Sequence, residues 1–332
     1  TVPRLATGMT RAAARDGAHL RRWPVMRTID WVDGEIRLID QTRLPGELVV
    51  LQVADIVHIP ALVDSKYYGQ LGDQKHLSLP EADVGLISGG IRNAEHLEVA
   101  LEMRKRCKLI IALGTCATHG GIPALANSYT VDEIMERAFT TETTDKTNAY
   151  PSDGVPALLE SCSALDEKIK VDIYVPGCPP HPDHVFNCLV SLVQGKMPEL
   201  PSRSVCDTCP VVREKKSGGG PIKRGMTNID FNAEEGLETM RCINEQGFFC
   251  MGPVTLAGCA GKTGVPRCVQ ARTPCRGCFG PIRKGARPMV DMMGALTSVG
   301  LDPKSLVDRR AMMNRYIGGH GVLTVIPARP AK

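Results

Sequence analysis

Short apolar runs alternate with mixed polar and apolar helical patterns between about residues 53 and 195. This alternation is typical of an α/β unit built as a doubly wound parallel sheet. Helices are predicted from the cap residue Asn93 to about Cys107, and from His181 to Gly195. The predicted strands are residues 53–59, 82–88, 108–114 and 171–177.

Two cysteines follow the ends of predicted strands. Cys116 comes two residues after Gly114, and Cys178 comes directly after Gly177. Ligands of doubly wound sheets bind outside the carboxyl ends of the strands, so we expect a binding site that contains both cysteines.

The pattern changes after Pro201. Proline, glycine and cysteine become frequent, and residues 250–285 are too rich in turn formers to form a regular sheet or helix bundle. We predict an irregular, cysteine-rich domain that bound metal stabilises. The predicted divisions are an atypical N-terminal extension (residues 1–52), the α/β domain (53–200) and the cysteine-rich domain (201–332).

Composition narrows the possible functions. Apolar residues make up 43% and charged residues 23% of the 332 residues, which is ordinary for a globular protein. The net charge is +4 without a long basic stripe, so nucleic acid is not an expected partner. The apolar runs are shorter than the ~20 residues of a membrane-spanning helix, so no membrane span is expected.

Thirteen cysteines permit either disulfides or metal ligation. Disulfide-rich chains are typically short and secreted, whereas this chain is long and its cysteine count is odd. We therefore favour metal ligation in a reducing compartment. Because no export signal precedes the α/β region, we expect a cytoplasmic protein.

Eight cysteines occur after residue 201, which is enough for two four-iron cubanes. Zinc is the alternative, but 65 residues separate the two Cys-x-x-Cys pairs and single cysteines fill the interval, unlike a zinc ribbon. A thioredoxin-like redox pair is disfavoured because Cys206 does not follow a strand. The remaining cysteines, Cys107, Cys162 and Cys188, are interpreted as buried apolar residues.

Several motifs resemble the small subunits of nickel–iron hydrogenases. Gly114-Thr-Cys116 and Pro176-Gly-Cys178-Pro-Pro180 carry the resemblance in the α/β region. Residues 246–259 and Pro274-Cys-Arg-Gly-Cys278 resemble the methyl-viologen-reducing, F420-non-reducing type that is associated with heterodisulfide reductase. The similarity runs from about residue 53 to about residue 320.

This resemblance implies a flavodoxin-like N-terminal domain, a proximal cluster at its edge, and medial and distal 4Fe-4S clusters in the C-terminal domain. Cys116 and Cys178, called the proximal pair below, match two proximal ligands. The family takes two more from an N-terminal Cys-x-x-Cys, but no cysteine precedes Cys107 here. The distal set is Cys206, Cys209, Cys242 and Cys250, and the medial set is Cys259, Cys268, Cys275 and Cys278.

The function implied by the resemblance is electron relay from hydrogen oxidation. The nickel–iron site belongs to a partner large subunit, so this chain has no catalytic residues of its own, and heterodisulfide reductase is the implied acceptor. Alternatives are a sulfhydrogenase subunit and a non-catalytic assembly subunit. Separately, residues 26–52 resemble the start of methylthioribose-1-phosphate isomerase but carry none of its catalytic parts.

Overall fold

The structure of the chain is a computed structural model. It describes most of the chain after residue 76 with side chains, and the backbone of four short strands before that point. The fully described residues are 77, 79–141, 150–199, 201–224 and 228–326, and the four early strands are residues 4–9, 29–32, 35–38 and 55–58.

Regular elements concentrate in the first two thirds of the chain. The described strands are β1 Arg4–Met9, β2 Ile29–Val32, β3 Glu35–Leu38, β4 Asp55–His58, β5 Ala82–Ser88, β6 Ile91–Asn93, β7 Cys107–Leu113, β8 Leu158–Ser163, β9 Ile173–Val175, β10 Gly220–Pro221 and β11 Leu301–Asp302. The described α-helices are α1 Ala94–Arg106, α2 Thr115–His119, α3 Val131–Phe139, α4 Pro182–Val193, α5 Arg267–Gln270, α6 Pro288–Ser298 and α7 Arg309–Met313.

Five strands form one parallel sheet in the order β4-β1-β5-β7-β9. Counted along the chain within this sheet, the order is 2-1-3-4-5, which is the flavodoxin-like doubly wound arrangement. The fold class predicted from the sequence is therefore confirmed. The four predicted strands correspond to β4, β5, β7 and β9, with ends that differ by a few residues.

The structure adds a strand that the sequence analysis did not predict. β1 lies between β4 and β5, with Leu5 opposite Val84 and Met9 opposite Ser88. Its six residues, Arg-Leu-Ala-Thr-Gly-Met, contain too little apolar alternation to indicate a strand. The division of the chain at residue 52 remains a prediction.

Helices cover both faces of the sheet. Ile87 of β5 and Met103 of α1 belong to one buried cluster, and Ile111 of β7 and Cys188 of α4 belong to another. Successive residues of a strand point to opposite faces, so continuous apolar runs fill both clusters. Cys107 and Cys188 are 4% and 3% exposed, in agreement with their interpretation as core residues.

Both predicted helices are present. α1 begins after Asn93, whose side chain accepts the His96 amide at 2.8 Å. α4 begins after His181 and is followed by Gly195, whose φ is +73°. Within the described part of the chain, no helix is long and apolar enough to cross a membrane.

The part of the chain after residue 200, called the C-terminal half below, consists mainly of short turns around small apolar clusters. Its longest helix, α6, was not predicted, because Gly294 interrupts the helical pattern in its middle. Met292 and Leu296 of α6 are 0% exposed and share a cluster with Cys275. Potential metal ligands are therefore part of the core in this half.

Candidate metal centres

The proximal pair lies at the carboxyl edge of two neighbouring strands. β7 and β9 run parallel, and just beyond β7 the Gly114 amide donates to the Val175 carbonyl at 2.7 Å. Burial and the neighbouring Cys178 thiol raise the pKa of Cys116. The structure thus brings together the two cysteines that the sequence analysis placed at this edge. Their role as ligands remains a prediction.

Two glycines leave space beside sulfur atoms. A Cβ on Gly121 would lie 2.5 Å from the Sγ of Cys116, and the φ of Gly121 is +59°. A Cβ on Gly252 would lie 3.0 Å from the Sγ of Cys206 and 3.7 Å from that of Cys250. A side chain at either position would therefore fill the space next to a candidate ligand.

The four thiols of the distal set are electrostatic neighbours. Burial raises the pKa of Cys206 to about 12, and among the thiols Cys250 adds most to this increase, ahead of Cys209 and Cys242. Burial likewise raises the pKa of Cys250 to about 12, with smaller contributions from Cys242 and Cys209. Without a metal, Cys206 and Cys250 are therefore protonated near neutral pH, and a metal that binds them must displace their protons.

Local hydrogen bonds hold the segments that carry these thiols. The Asp207 carboxylate accepts the Ser204 amide at 2.8 Å and the Ser204 hydroxyl at 2.9 Å, which closes the turn containing Cys206. The Asn244 side chain accepts the Cys250 amide at 2.9 Å and donates to the Cys250 carbonyl at 3.0 Å. Polar side chains therefore position cysteines where regular secondary structure is scarce.

The four cysteines of the medial set line one cavity of about 140 Å³. Cys178 and His181, which shortly precede α4, line the same cavity. Burial and the neighbouring Cys268 raise the pKa of Cys278 to about 12, and burial raises the pKa of Cys275 well above its ordinary value. The structure thus gathers all four predicted medial residues around one space.

Backbone amides lie close to several of the sulfurs. Burial raises the pKa of Cys259 and of Cys275, and the nearby amides of Arg267 and Gly277, respectively, partly oppose that increase. The amide of Cys275 in turn donates to the Sγ of Cys250 at 3.2 Å, which joins the medial set to the distal set. Such bonds favour negative charge on sulfur and so oppose the cost of burying a thiolate.

Thr115 connects the sheet edge to the medial set. Its buried hydroxyl donates to the Cys278 carbonyl and accepts the Gly177 amide at 2.8 Å. The nearby amide of Cys178 also partly opposes the increase that burial causes in the pKa of Cys278. The contact between Thr115 and Cys278 was not predicted from the sequence. The only sequence signal for Thr115 is its position directly before Cys116.

The donor sets differ in how well they suit iron–sulfur clusters. The distal and medial sets each offer four buried or partly buried thiols with amide donors, as a cubane requires. The proximal pair offers two thiols, so it does not supply the four thiolates of an ordinary cubane.

Within the described residues, no three His, Cys, Asp or Glu side chains converge closely enough to hold one ion. A cubane keeps its thiolates further apart, because each binds a different iron.

The sequence and structure are similar to those of several known proteins. The family described as NADH ubiquinone oxidoreductase, 20 Kd subunit, matches residues 41–192. The chain is 35% identical over 270 residues to an F420-non-reducing hydrogenase (vhu) subunit of Methanocaldococcus jannaschii, covering 81% of this chain and 85% of that protein. It is 38% identical over 254 residues to the corresponding F420-non-reducing hydrogenase subunit of Methanothermobacter marburgensis, covering 76% of each. A solved NAD+-reducing NiFe-hydrogenase chain aligns with a TM-score of 0.40 at 31% identity, over 46% of this chain and 81% of that chain.

Proposed function

Since the chain belongs to the family of hydrogenase small subunits that includes those of the F420-non-reducing hydrogenases, we propose that its C-terminal half binds two 4Fe-4S clusters and relays electrons through them. It is an electron-transfer subunit of an oxidoreductase, and small subunits of this family carry iron–sulfur clusters. The observation that supports the proposal most strongly is the division of eight thiols into two adjoining sets of four.

In this proposal the distal set and the medial set each hold one cluster. When bound, each cluster supplies one-electron redox chemistry. The Cys275 amide, which belongs to a medial ligand, reaches the distal sulfur of Cys250 at 3.2 Å. A single hydrogen bond therefore separates the two ligand sets, which favours electron transfer between them.

The chain's own residues set the environment of the two sites. The amide that donates to Cys250, and the amides that lie near Cys259 and Cys275, stabilise negative charge on sulfur, so they favour the reduced form and raise the reduction potential. Phe279 is 2% exposed and lines the medial cavity, so it helps to exclude water. Water exclusion and amide donation act in opposite directions on the potential.

The proximal pair is proposed to supply two ligands to a third site. Every cysteine in these 332 residues lies at or after Cys107, so an ordinary proximal cubane would need ligands beyond the cysteines of this sequence. The proposed relay therefore comprises the medial and distal sites. The two missing proximal thiolates favour a second candidate function, a non-catalytic assembly subunit that retains the hydrogenase fold.

The proposed partners are a nickel–iron large subunit, in which hydrogen is oxidised, and a heterodisulfide reductase complex that accepts the electrons. A sulfhydrogenase is the alternative complex within the same class. We propose a cytoplasmic assembly, because thirteen free cysteines and thiolate-bound clusters suit a reducing compartment.

The test is anaerobic iron and sulfide analysis of the purified chain together with its large subunit, followed by low-temperature electron paramagnetic resonance after hydrogen addition. We expect about eight irons per chain, and two cubane signals that appear on reduction. About twelve irons would mean that replacement ligands complete the proximal site. A chain that binds iron but is not reduced by hydrogen would favour the assembly function, and a chain without cubane signals would contradict the proposal.

A further inference from the structure

Arg213 belongs to the segment directly after Cys206 and Cys209, the first two cysteines of the distal set. Arg213 is exposed, and its guanidinium donates to the Cys206 carbonyl. An arginine side chain keeps its positive charge at every ordinary pH. A permanent positive charge therefore contacts the backbone of a candidate ligand.

The backbone of the same segment is bound to a third distal cysteine. The Val212 amide donates to the Met240 carbonyl at 2.9 Å, and the Cys242 amide donates to the Val212 carbonyl at 2.8 Å. Arg213 therefore lies between two ligand segments. The residue before it is bound to the Cys242 segment, while its own side chain is bound to the Cys206 segment.

A buried carboxylate holds the chain on the other side of Arg213. Glu245 is 3% exposed, and its two carboxylate oxygens accept the amides of Glu214 and Lys215, each at 2.7 Å. Loss of these bonds would leave a buried carboxylate poorly paired. The backbone before and after Arg213 is therefore fixed, so the fold sets the position of the guanidinium beside Cys206.

The acids near Arg213 have other partners. The Glu214 carboxylate pairs with Arg241 at 3.2 Å. Hydrogen bonds from Ser204 lower the pKa of Asp207, and the charge of Arg213 lowers it further, but the Asp207 carboxylate is bound to the amide and the hydroxyl of Ser204. The charge of Arg213 therefore remains able to act on the distal thiols.

This charge acts on two of the distal cysteines. Burial raises the pKa of Cys206 to about 12 and also raises the pKa of Cys209, and at both thiols Arg213 opposes the increase. A positive charge that stabilises a thiolate also stabilises the negative charge that a cluster gains on reduction. The guanidinium should therefore favour the reduced form of a cluster bound by these cysteines.

We propose that Arg213 is a positioning residue of the distal site, which joins the Cys206 and Cys242 segments and raises the reduction potential of the distal cluster. This inference rests on the proposed function, because it requires a distal cluster. A higher potential at the distal site favours electron transfer to it from the medial cluster. The distal cluster gains the electron that the medial cluster loses, and Arg213 stays protonated throughout.

The experiment compares the unsubstituted chain with Arg213→Gln and Arg213→Lys, each purified anaerobically with the large subunit. Electron paramagnetic resonance follows the reduced fraction of each cluster as the potential is lowered, and Cys206→Ser identifies the distal signal. Glutamine keeps a donor for the Cys206 carbonyl but removes the charge. We expect Arg213→Gln to lower the ratio of reduced to oxidised distal cluster at a fixed potential by about 10-fold, which is ~59 mV for a one-electron couple.

The medial signal should change much less in Arg213→Gln, and Arg213→Lys should restore most of the distal ratio because lysine keeps the charge. Arg310→Gln is the matched control. Arg310 also donates to a backbone carbonyl, that of Thr324 at 2.6 Å, but it lies outside the segments that carry the candidate ligands. Its substitution should leave both potentials unchanged.

An unchanged distal potential in Arg213→Gln, or equal shifts in Arg213→Gln and Arg213→Lys, would overturn the inference. If Arg213→Gln loses the distal cluster altogether, Arg213→Lys decides. A distal cluster that keeps its potential in Arg213→Lys supports the inference, whereas a shifted potential or a lost cluster there overturns it. An unsubstituted chain that forms no clusters would instead contradict the proposed function.

Discussion

The α/β half and the C-terminal half are stabilised in different ways. In the α/β half, β5 and β7 are buried on both faces, and α1 and α4 complete two apolar clusters. In the C-terminal half, the apolar clusters are interleaved with candidate ligands such as Cys250 and Cys275. Apolar burial stabilises the first half by itself, whereas the second half places thiols where more apolar side chains would otherwise pack.

This difference has an energetic consequence. Burial raises the pKa of Cys206, Cys250 and Cys278 to about 12, so these thiols stay protonated when no metal is bound. The proposed metal binding replaces weak thiol contacts inside these apolar clusters with covalent iron–sulfur bonds. We therefore expect the C-terminal half to depend on its metal and the α/β half to be nearly independent of it.

The largest effect is expected on metal removal. Chelation of iron from the loaded protein should expose the C-terminal amides to solvent, and hydrogen exchange over residues 201–224 and 228–326 should accelerate by about 10⁴-fold or more. Exchange in β5 and β7 should change little. Mass spectrometry of exchange before and after chelation measures both regions in one sample. Equal acceleration in the two halves would contradict the comparison.

A smaller effect is expected from Ile110→Ala. Ile110 is 0% exposed in the sheet core, so its truncation should lower the unfolding free energy of the α/β half by about 2–5 kcal/mol. Denaturant unfolding measures that loss, and iron content should remain at the level of the unsubstituted protein. Leu296→Ala is the matched control, because Leu296 is also 0% exposed but packs beside Cys275. We expect Leu296→Ala to lose iron, because its core contains a candidate ligand. If Leu296→Ala retains as much iron as Ile110→Ala, metal binding does not depend on packing of the C-terminal core.

The smallest effect concerns His119, which lies at the contact between the halves. Its Nδ1 is 2.7 Å from the Thr118 hydroxyl, and burial and the nearby His320 lower its pKa to about 4. The His119 imidazole is therefore protonated below about pH 6.5 in the unfolded chain but only below about pH 4 in the folded chain. Stability should fall as the pH drops through this window, by on the order of 2–3 kcal/mol.

Unfolding in denaturant between pH 7 and pH 4 measures this loss in the unsubstituted protein and in His119→Gln. The substituted protein lacks the ionisable group, so the difference in stability between the two proteins should change across the window. A difference that is constant with pH would show that the His119 site does not disfavour the charged imidazole.

Several features could be predicted from the sequence because they depend on local signals. Continuous apolar runs indicated β4, β5, β7 and β9, and Asn93 and Gly195 marked helix ends. The placement of Cys116 and Cys178 at one sheet edge followed from a general property of parallel sheets. The assignment of the eight later cysteines to two sets came from motif resemblance, and their role as ligands remains a prediction.

Other features depend on contacts between distant segments, which leave no periodic signal. β1 carries few apolar residues, and it can be recognised as a strand only from its pairing with β4 and β5. The Thr115 hydroxyl meets Cys278, which lies 163 residues later in the sequence.

The sequence by itself therefore determined the fold class, the hydrogenase resemblance and the set of candidate thiols, because residue type and short-range spacing suffice for these. Only the tertiary structure decided which thiols face a shared cavity, which amides donate to sulfur, and that Cys178 adjoins the medial set. These depend on backbone direction at the ends of strands and turns, where long-range hydrogen bonds set the position of each loop.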